Sequence, residues 1–169
     1  PRACLPYAAA SAQRFLQSFA LEKARRVYAS VLGILRNDED KPLRIQILEH
    51  SARISLALRD SLVAEEALRN AQTEGAASLS PDRKIDLILL ESEAACQTDA
   101  NRGLKVLGKA SRLLKDENTV RGVRLQLATA RVQLARQDYK RAVNFSLKGI
   151  SAAQKVGDLP ELGELYGVL

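Results

Sequence analysis

The side chains that could do chemistry in this chain are few and scattered. The single histidine, His50, follows Glu49, and such a pair could in principle pass a proton. A lone histidine inside a helical stretch, however, is ordinarily a packing or surface residue. Cys96 needs a base beside it to act as a nucleophile, and no histidine is near it in sequence; it reads as a small, inert, buried side chain. The stretch "NRGLKVLGK" (Asn101 to Lys109) has neither the glycine spacing of a phosphate-binding loop nor a Ser or Thr after its lysine. The carboxylates lie on scattered helix surfaces, and no pair is set for acid–base work. The sequence therefore predicts no catalytic residues, no metal site and no cofactor. Any catalytic activity would belong to other parts of a longer protein.

Positive charge is more orderly. Between Arg102 and Arg141 stand eleven basic and three acidic side chains, a balance of +8 in a chain whose net charge is +6. Arg124 and Arg131 are two helical turns apart and share a face with Leu127 and Leu134. Such a stripe can grip carboxylates through guanidinium forks while covering apolar side chains of an acidic peptide. The competing reading leaves the two arginines solvated or paired with neighbours such as Glu91. A second stripe, Arg102, Lys105, Lys109 and Arg112, could contact phosphates, with affinity falling steeply as salt rises. No aromatic residue is interleaved for base stacking and no helix-turn-helix motif is present, so nucleic acid is the less favoured partner and a solvated face the ordinary explanation.

Helices must position these residues. Nearly half of the 169 residues are apolar, supplied mainly by Ala, Leu, Val and Ile, with three Phe, four Tyr, no Trp and no Met. That composition favours close-packed helices over a β-sandwich. No apolar run approaches the ~18 residues that span a bilayer, so no membrane partner is expected. The segment "RACLPYAAASA" has an Ala-x-Ala-like tail but no long apolar core of the kind a signal peptide carries. Cys4 and Cys96 form no disulfide framework or metal set, and their sparseness suits a reducing, cytoplasmic setting. Pro1 at the start and "LPELGELYGVL" at the end suggest a piece of a longer protein.

The pattern repeats. Ala142, Gly103 and Ala64 are spaced by 39 residues, and Ala24 lies 40 before Ala64. Asp60, Asp99 and Asp138 share a register four residues earlier, and Ala71, Ala110 and Gly149 share one seven residues later, with Val31 in the first unit. Twelve residues before the small residue come Ala12, Ala52, Glu91 and Ala130. Small residues at fixed places mark helix crossings too close for a larger side chain. Helices are predicted over 7–18, 21–36, 42–59, 61–75, 81–97, 100–115, 119–136, 139–156 and 159–168. Asp138 reads as an N-cap, Gly157 as a left-handed terminator, Ser80 with Pro81 as a helix start, and Gly75 and "KDEN" (Lys115 to Asn118) as breaks.

These residues resemble a tetratricopeptide repeat, best in the unit with Ala130, the "DYKRA" stretch and Gly149, and again at Ala52, Ala64 and Ala71. The chain departs from that family at Glu91, in its longer repeat (against about 34 residues) and in lacking an early aromatic residue in each unit. Long units of this kind are similar to those in the sensor or scaffold arms of bacterial signal-transduction ATPases and transcriptional activators. The resemblance implies an all-α superhelix of about four helical hairpins plus a partial fifth, forming a single domain over 1–169. Its units would be 5–40, 41–79, 80–118, 119–157 and a partial 158–169.

The resemblance further implies a concave groove lined by the first helix of each unit. Register carries Gln13, Gln17, Gln46, Glu49, Arg53, Ser92, Cys96, Arg124, Leu127 and Arg131 toward it. The stripe from Arg102 to Arg112 goes to the convex side. Ala52, Ala64, Ala71, Gly103, Ala110, Ala130, Ala142 and Gly149 become structural small residues. The Lys/Asn clamp by which some relatives grip a chaperone's C-terminus is absent at the matching places. The expected function is a non-catalytic scaffold or sensor that captures an acidic peptide or helix, with regulation or signalling as its setting. The alternatives are a small-molecule-sensing arm of a regulatory ATPase and nucleic-acid binding through the basic half. An incomplete last hairpin would also invite self-association.

Overall fold

The computed structural model of the chain describes Ser11, Arg14 and residues 20–35, 40–157 and 159–169. Among them the regular structure is α-helical, without strands, in eight helices: α1 (Leu21–Ile34), α2 (Lys41–Ala57), α3 (Ser61–Gly75), α4 (Pro81–Thr98), α5 (Ala100–Leu113), α6 (Val120–Ala135), α7 (Tyr139–Val156) and α8 (Leu159–Val168). Each lies within two residues of its expected span at either end. Of the helix expected over 7–18 only Ser11 and Arg14 are described; Ala12, Gln13 and Gln17 fall outside the described residues, as do Cys4 and Asp158. The chain divides into two compact units, one ending at Ser78 and the other beginning at Leu79.

Local sequence explains where the helices begin. Hydroxyls open α4 and α6: Ser80 Oγ accepts from the Arg83 N–H at 3.3 Å, and Thr119 Oγ1 from the Gly122 N–H at 3.1 Å. Carboxylates open the next helix of each pair. Asp60 accepts from Val63 N–H, Asp99 from Asn101 N–H and Asp138 from Arg141 N–H. Each such cap satisfies a backbone donor that the helix cannot, contributing about 1 kcal/mol. Two of the connecting turns are alike. Arg59 and Gln137 both take left-handed backbone (φ 62° and 61°), and the following aspartate N–H reaches back to Ser55 O at 2.8 Å or Gln133 O at 2.9 Å. Gly157 ends α7 at φ 78° with its N–H on Ala153 O, a conformation open to a residue without Cβ.

In the first unit α2 packs against α1 and α3, and Ala24, Tyr28, Val31, Leu35, Ile47 and Ile54 form the core between α1 and α2. In the second, α6 is the central strut, in contact with α4, α5, α7 and α8. One side of α6 sends Leu125 and Val132 into a cluster with Ile85, Ile88, Val106 and Leu107. The other sends Val123 and Leu127 into a cluster with Ile150, Ala153 and Leu165.

Ala52, Ala64, Ala71, Ala110, Ala130 and Ala142 are buried, as are Gly103 and Gly149. A Cβ on Gly103 would lie 3.1 Å from the Ser92 carbonyl oxygen and 3.2 Å from Cys96 Cβ, so α4 and α5 touch backbone to backbone there. One on Gly149 would lie 2.7 Å from Leu165 Cδ2. At Glu91, where Ala52 and Ala130 stand in the other pairs, the carboxylate reaches Lys109 of α5 at 3.4 Å. The long side chain thus escapes the crossing instead of filling it.

Candidate functional site

The expected groove residues fall in both compact units, and each unit has its own arrangement. In the first, Gln46 and Arg53 are exposed on α2, whereas Glu49 is buried and accepts from Arg53 Nη2 at 2.7 Å. His50, the next residue, stacks its ring on Tyr28 of α1 with centroids 5.7 Å apart and planes 6° from parallel. This aromatic contact holds the His50 ring of α2 against α1. Burial pushes the Tyr28 phenol up from its ordinary value.

In the second unit, Ser92 is buried, its hydroxyl donating to Leu89 O at 2.7 Å. Leu127 is buried in the core between α6, α7 and α8. Both side chains are thus turned into the core. Arg124 and Arg131 are about half exposed on α6, and each holds a carboxylate of α8. Arg124 Nε donates to Glu161 Oε1 at 2.7 Å, and Arg131 Nη2 donates to Glu164 Oε2 at 2.7 Å. Neither of them bonds Glu91, which goes to Lys109. Leu134 completes the stripe, exposed at the far end of α6.

Arg121, one turn before Arg124, points the other way along the face and binds α4. Its Nε and Nη2 donate to the two carboxylate oxygens of Asp86 at 3.1 Å each, a fork-to-carboxylate pair. Nη1 reaches Asp82 Oδ2 at 3.2 Å. The Asp86 hydrogen bond raises the pKa of a guanidinium that is already cationic at any working pH. At the end of α6, Arg136 donates to Asn101 Oδ1 of α5 and to Gln133 Oε1. Three arginines of α6 and Arg136 just after it thus carry contacts to α4, α5 and α8. Sequence reasoning singled out Arg124 and Arg131 but missed their acceptors. The signal was there: acidic residues lie 33 to 39 positions from each arginine, close to the repeat length.

Arg102, Lys105, Lys109 and Arg112 are all exposed along one side of α5. Cys96 is half-buried, and burial first, then the charges of Glu93 and Asp99, push its thiol pKa up. It is therefore held protonated, the opposite of an activated nucleophile. Among the described residues no three His, Cys, Asp or Glu side chains gather into a metal-binding group, and no helix is long and apolar enough to cross a membrane. No protein-family model, curated protein or solved structure matches the chain.

Proposed function

We propose that the chain is a non-catalytic protein-interaction module, a scaffold or sensor arm of tetratricopeptide-like helical hairpins wound as a superhelix. It captures an acidic peptide or helix along the face formed by the first helix of each pair. The observation that carries this reading is the state of Arg124 and Arg131. Seven residues apart on α6 and half exposed, they already grip an acidic helix, α8, through Glu161 and Glu164 at 2.7 Å. An exposed pair such as Arg131–Glu164 contributes on the order of 0–1 kcal/mol, so a partner's carboxylate would displace Glu164 from Arg131 at small cost. Affinity would come from apolar anchors, and the arginines would set which partner is accepted.

The test is an affinity capture from the source lysate with the chain beside an Arg124→Glu/Arg131→Glu variant of matched melting temperature. A partner retained by the first and lost by the second supports the reading and identifies the function. Identical captures reduce the arginine stripe to intramolecular bracing. The exposed α5 stripe favours a second reading, nucleic-acid binding, in which Lys105→Glu/Lys109→Glu would abolish a strongly salt-dependent interaction.

A further inference from the structure

Helix α5 carries a glycine that its own packing does not use. Gly108 is exposed in the body of the helix, and a Cβ built on it would meet nothing within 4 Å. Gly103, by contrast, is required, since a Cβ there would lie 3.1 Å from the Ser92 carbonyl oxygen. Glycine in a helix interior costs stability, so one without a packing reason marks a place where something else comes close to the backbone. The repeat register does not ask for it either. The same position is Arg69 on α3 and Leu147 on α7.

Around Gly108 the helix is basic. Lys105 stands one turn before it, Arg112 one turn after it and Lys109 beside it, all exposed, with Arg102 two turns before Lys109. The helix has no acidic residue. This too is peculiar to α5: the positions of Lys105, Lys109 and Arg112 hold Glu66, Asn70 and Thr73 on α3, and Asn144, Lys148 and Ser151 on α7. Lys109 reaches Glu91 at 3.4 Å, a loose contact with the lysine largely exposed. Among the described residues Lys105 and Arg112 meet no carboxylate. Arg121, Arg124 and Arg131 of α6 are each held by a carboxylate of the chain. The α5 helix already has a neighbour on each side, α4 and α6. Its remaining face is therefore a positive surface around a notch without a side chain.

We infer that the outer face of α5 binds the phosphate backbone of a double-stranded nucleic acid, one sugar–phosphate strand crossing the helix at Gly108 between Lys105 and Arg112. The inference rests on the second reading above, nucleic-acid binding through α5, and gives it a contact point and a ligand class. Release of counterions from the neutralised phosphates drives such binding. The glycine lets the strand come down to the helix surface, where the three cations reach it. A duplex is selected because its bases stay stacked on one another, and this face offers no aromatic side chain to an unpaired base. Apart from Leu113 at its last position, the exposed residues of α5 are polar or glycine. A partner helix would find no apolar anchor there, and charged side chains are poor interface cores. A bilayer needs apolar side chains to enter it, and its plane would rest on the tips of the long side chains without reaching Gly108.

The test uses the full chain and a fluorescent DNA duplex of mixed sequence, followed by anisotropy over a salt series. Companion probes are one strand of that duplex, a polyglutamate peptide, and vesicles rich in phosphatidylserine. Duplex binding is expected, with log K falling against log salt at a slope of about −3 to −4, as for three or four neutralised phosphates. Lys105→Gln/Lys109→Gln should make that slope shallower by about two. Gly108→Gln should weaken duplex binding about five-fold or more in dilute salt, as loss of a close phosphate contact does. Its melting temperature should hold or rise, because a better helix former replaces glycine. Weaker binding by a fold at least as stable is a result that a merely structural glycine would not give. The proposal is overturned if the duplex does not bind at about 0.1 mM chain in dilute salt, or if binding is indifferent to Gly108→Gln. If the lysine variant flattens the slope while Gly108→Gln changes nothing, the α5 nucleic-acid reading stands and this inference alone fails. If neither variant matters, both fail. The proposal is also overturned if the single strand binds as tightly as the duplex. The same holds if the peptide or the vesicles bind through Lys105 and Lys109 while the duplex does not. None of these variants alters α6, so the acidic-peptide reading at Arg124 and Arg131 is judged separately.

Discussion

Glu161 lies 2.7 Å from Arg124 with only 14% of its side chain exposed, whereas Glu164, at the same distance from Arg131, is 52% exposed. Two ion pairs of one geometry, seven residues apart on α6 and three apart on α8, therefore differ in how much water screens them. Glu161 also sits in the first turn of α8, where the helix dipole favours a negative charge. Glu161→Ala should cost about 1 kcal/mol, and Glu164→Ala no more than about half of that. Hydrogen exchange separates the two: α8 amides should exchange about five-fold faster in the first variant and nearly unchanged in the second. Equal effects would mean that α8 is held by the apolar packing of Leu162, Leu165 and Val168 alone.

The glycines of α5 give an internal comparison of packing against propensity. Gly108 has open space around a would-be Cβ, so Gly108→Ala should raise stability by ~0.5–1 kcal/mol through helix propensity. Gly103→Ala places the same methyl 3.1 Å from the Ser92 carbonyl, a backbone atom that cannot step aside. The propensity gain should vanish there and the sign reverse. Thermal unfolding of the two variants reads this directly.

Ala142 is 1% exposed in α7 where it packs beside α6. Ala142→Leu adds three carbons to a filled crossing and should cost on the order of 1–3 kcal/mol. An unchanged melting temperature would remove the close-crossing role given to every small residue in this register.

These comparisons also mark how far the sequence could be read. Helix spans, the Asp138 and Ser80 caps and the left-handed Gly157 all follow from local rules: a short acceptor before a helix, a residue without Cβ after it. The small residues are readable because a period of 39 exposes them. The face of α6 was half readable. Spacing puts Arg124 and Arg131 on one side, but their acceptors Glu161 and Glu164 depend on which helix settles next to α6, a tertiary fact. Periodicity alone likewise cannot decide whether Leu127 lines the surface or the core, since the residue one turn from an exposed arginine can face either way. Leu165 decides it, by packing over Leu127 from α8.

Stability should fall on the alkaline side, by a separate group in each compact unit. The Cys96 thiol and the Tyr28 phenol are both pushed up in the folded chain, chiefly by burial. Folding then favours their neutral forms. Nothing is lost while pH stays below the unfolded-state values, near 9.0 for the thiol and 10.0 for the phenol. Above each, stability falls as pH climbs toward the raised folded value. Cys96→Ala should remove the earlier loss and Tyr28→Phe the later one in a pH series of denaturant titrations. The same shift predicts that Cys96 reacts with iodoacetamide more slowly than a free thiol at pH near 8.

The two left-handed turns carry strain that a glycine would relieve. Arg59 and Gln137 stand at φ 62° and 61°, each between a helix end and the aspartate that caps the next helix. A side chain in this region crowds its own backbone, at a cost of roughly 1–2 kcal/mol relative to glycine in the same conformation. Glycine also gains freedom in the unfolded chain, which offsets part of that relief. Gln137→Gly and Arg59→Gly should therefore each stabilise by about 0.5–1 kcal/mol. The turn between α4 and α5 is the control. Thr98 is the last residue of α4, and Asp99 N–H bonds Ala95 O without a left-handed residue. There Thr98→Gly should destabilise, since it adds unfolded-state entropy with no strain to release and removes the hydroxyl bond to Ala95 O. Opposite signs at position 98 and at positions 59 and 137 would show that turns in one register are built in two ways.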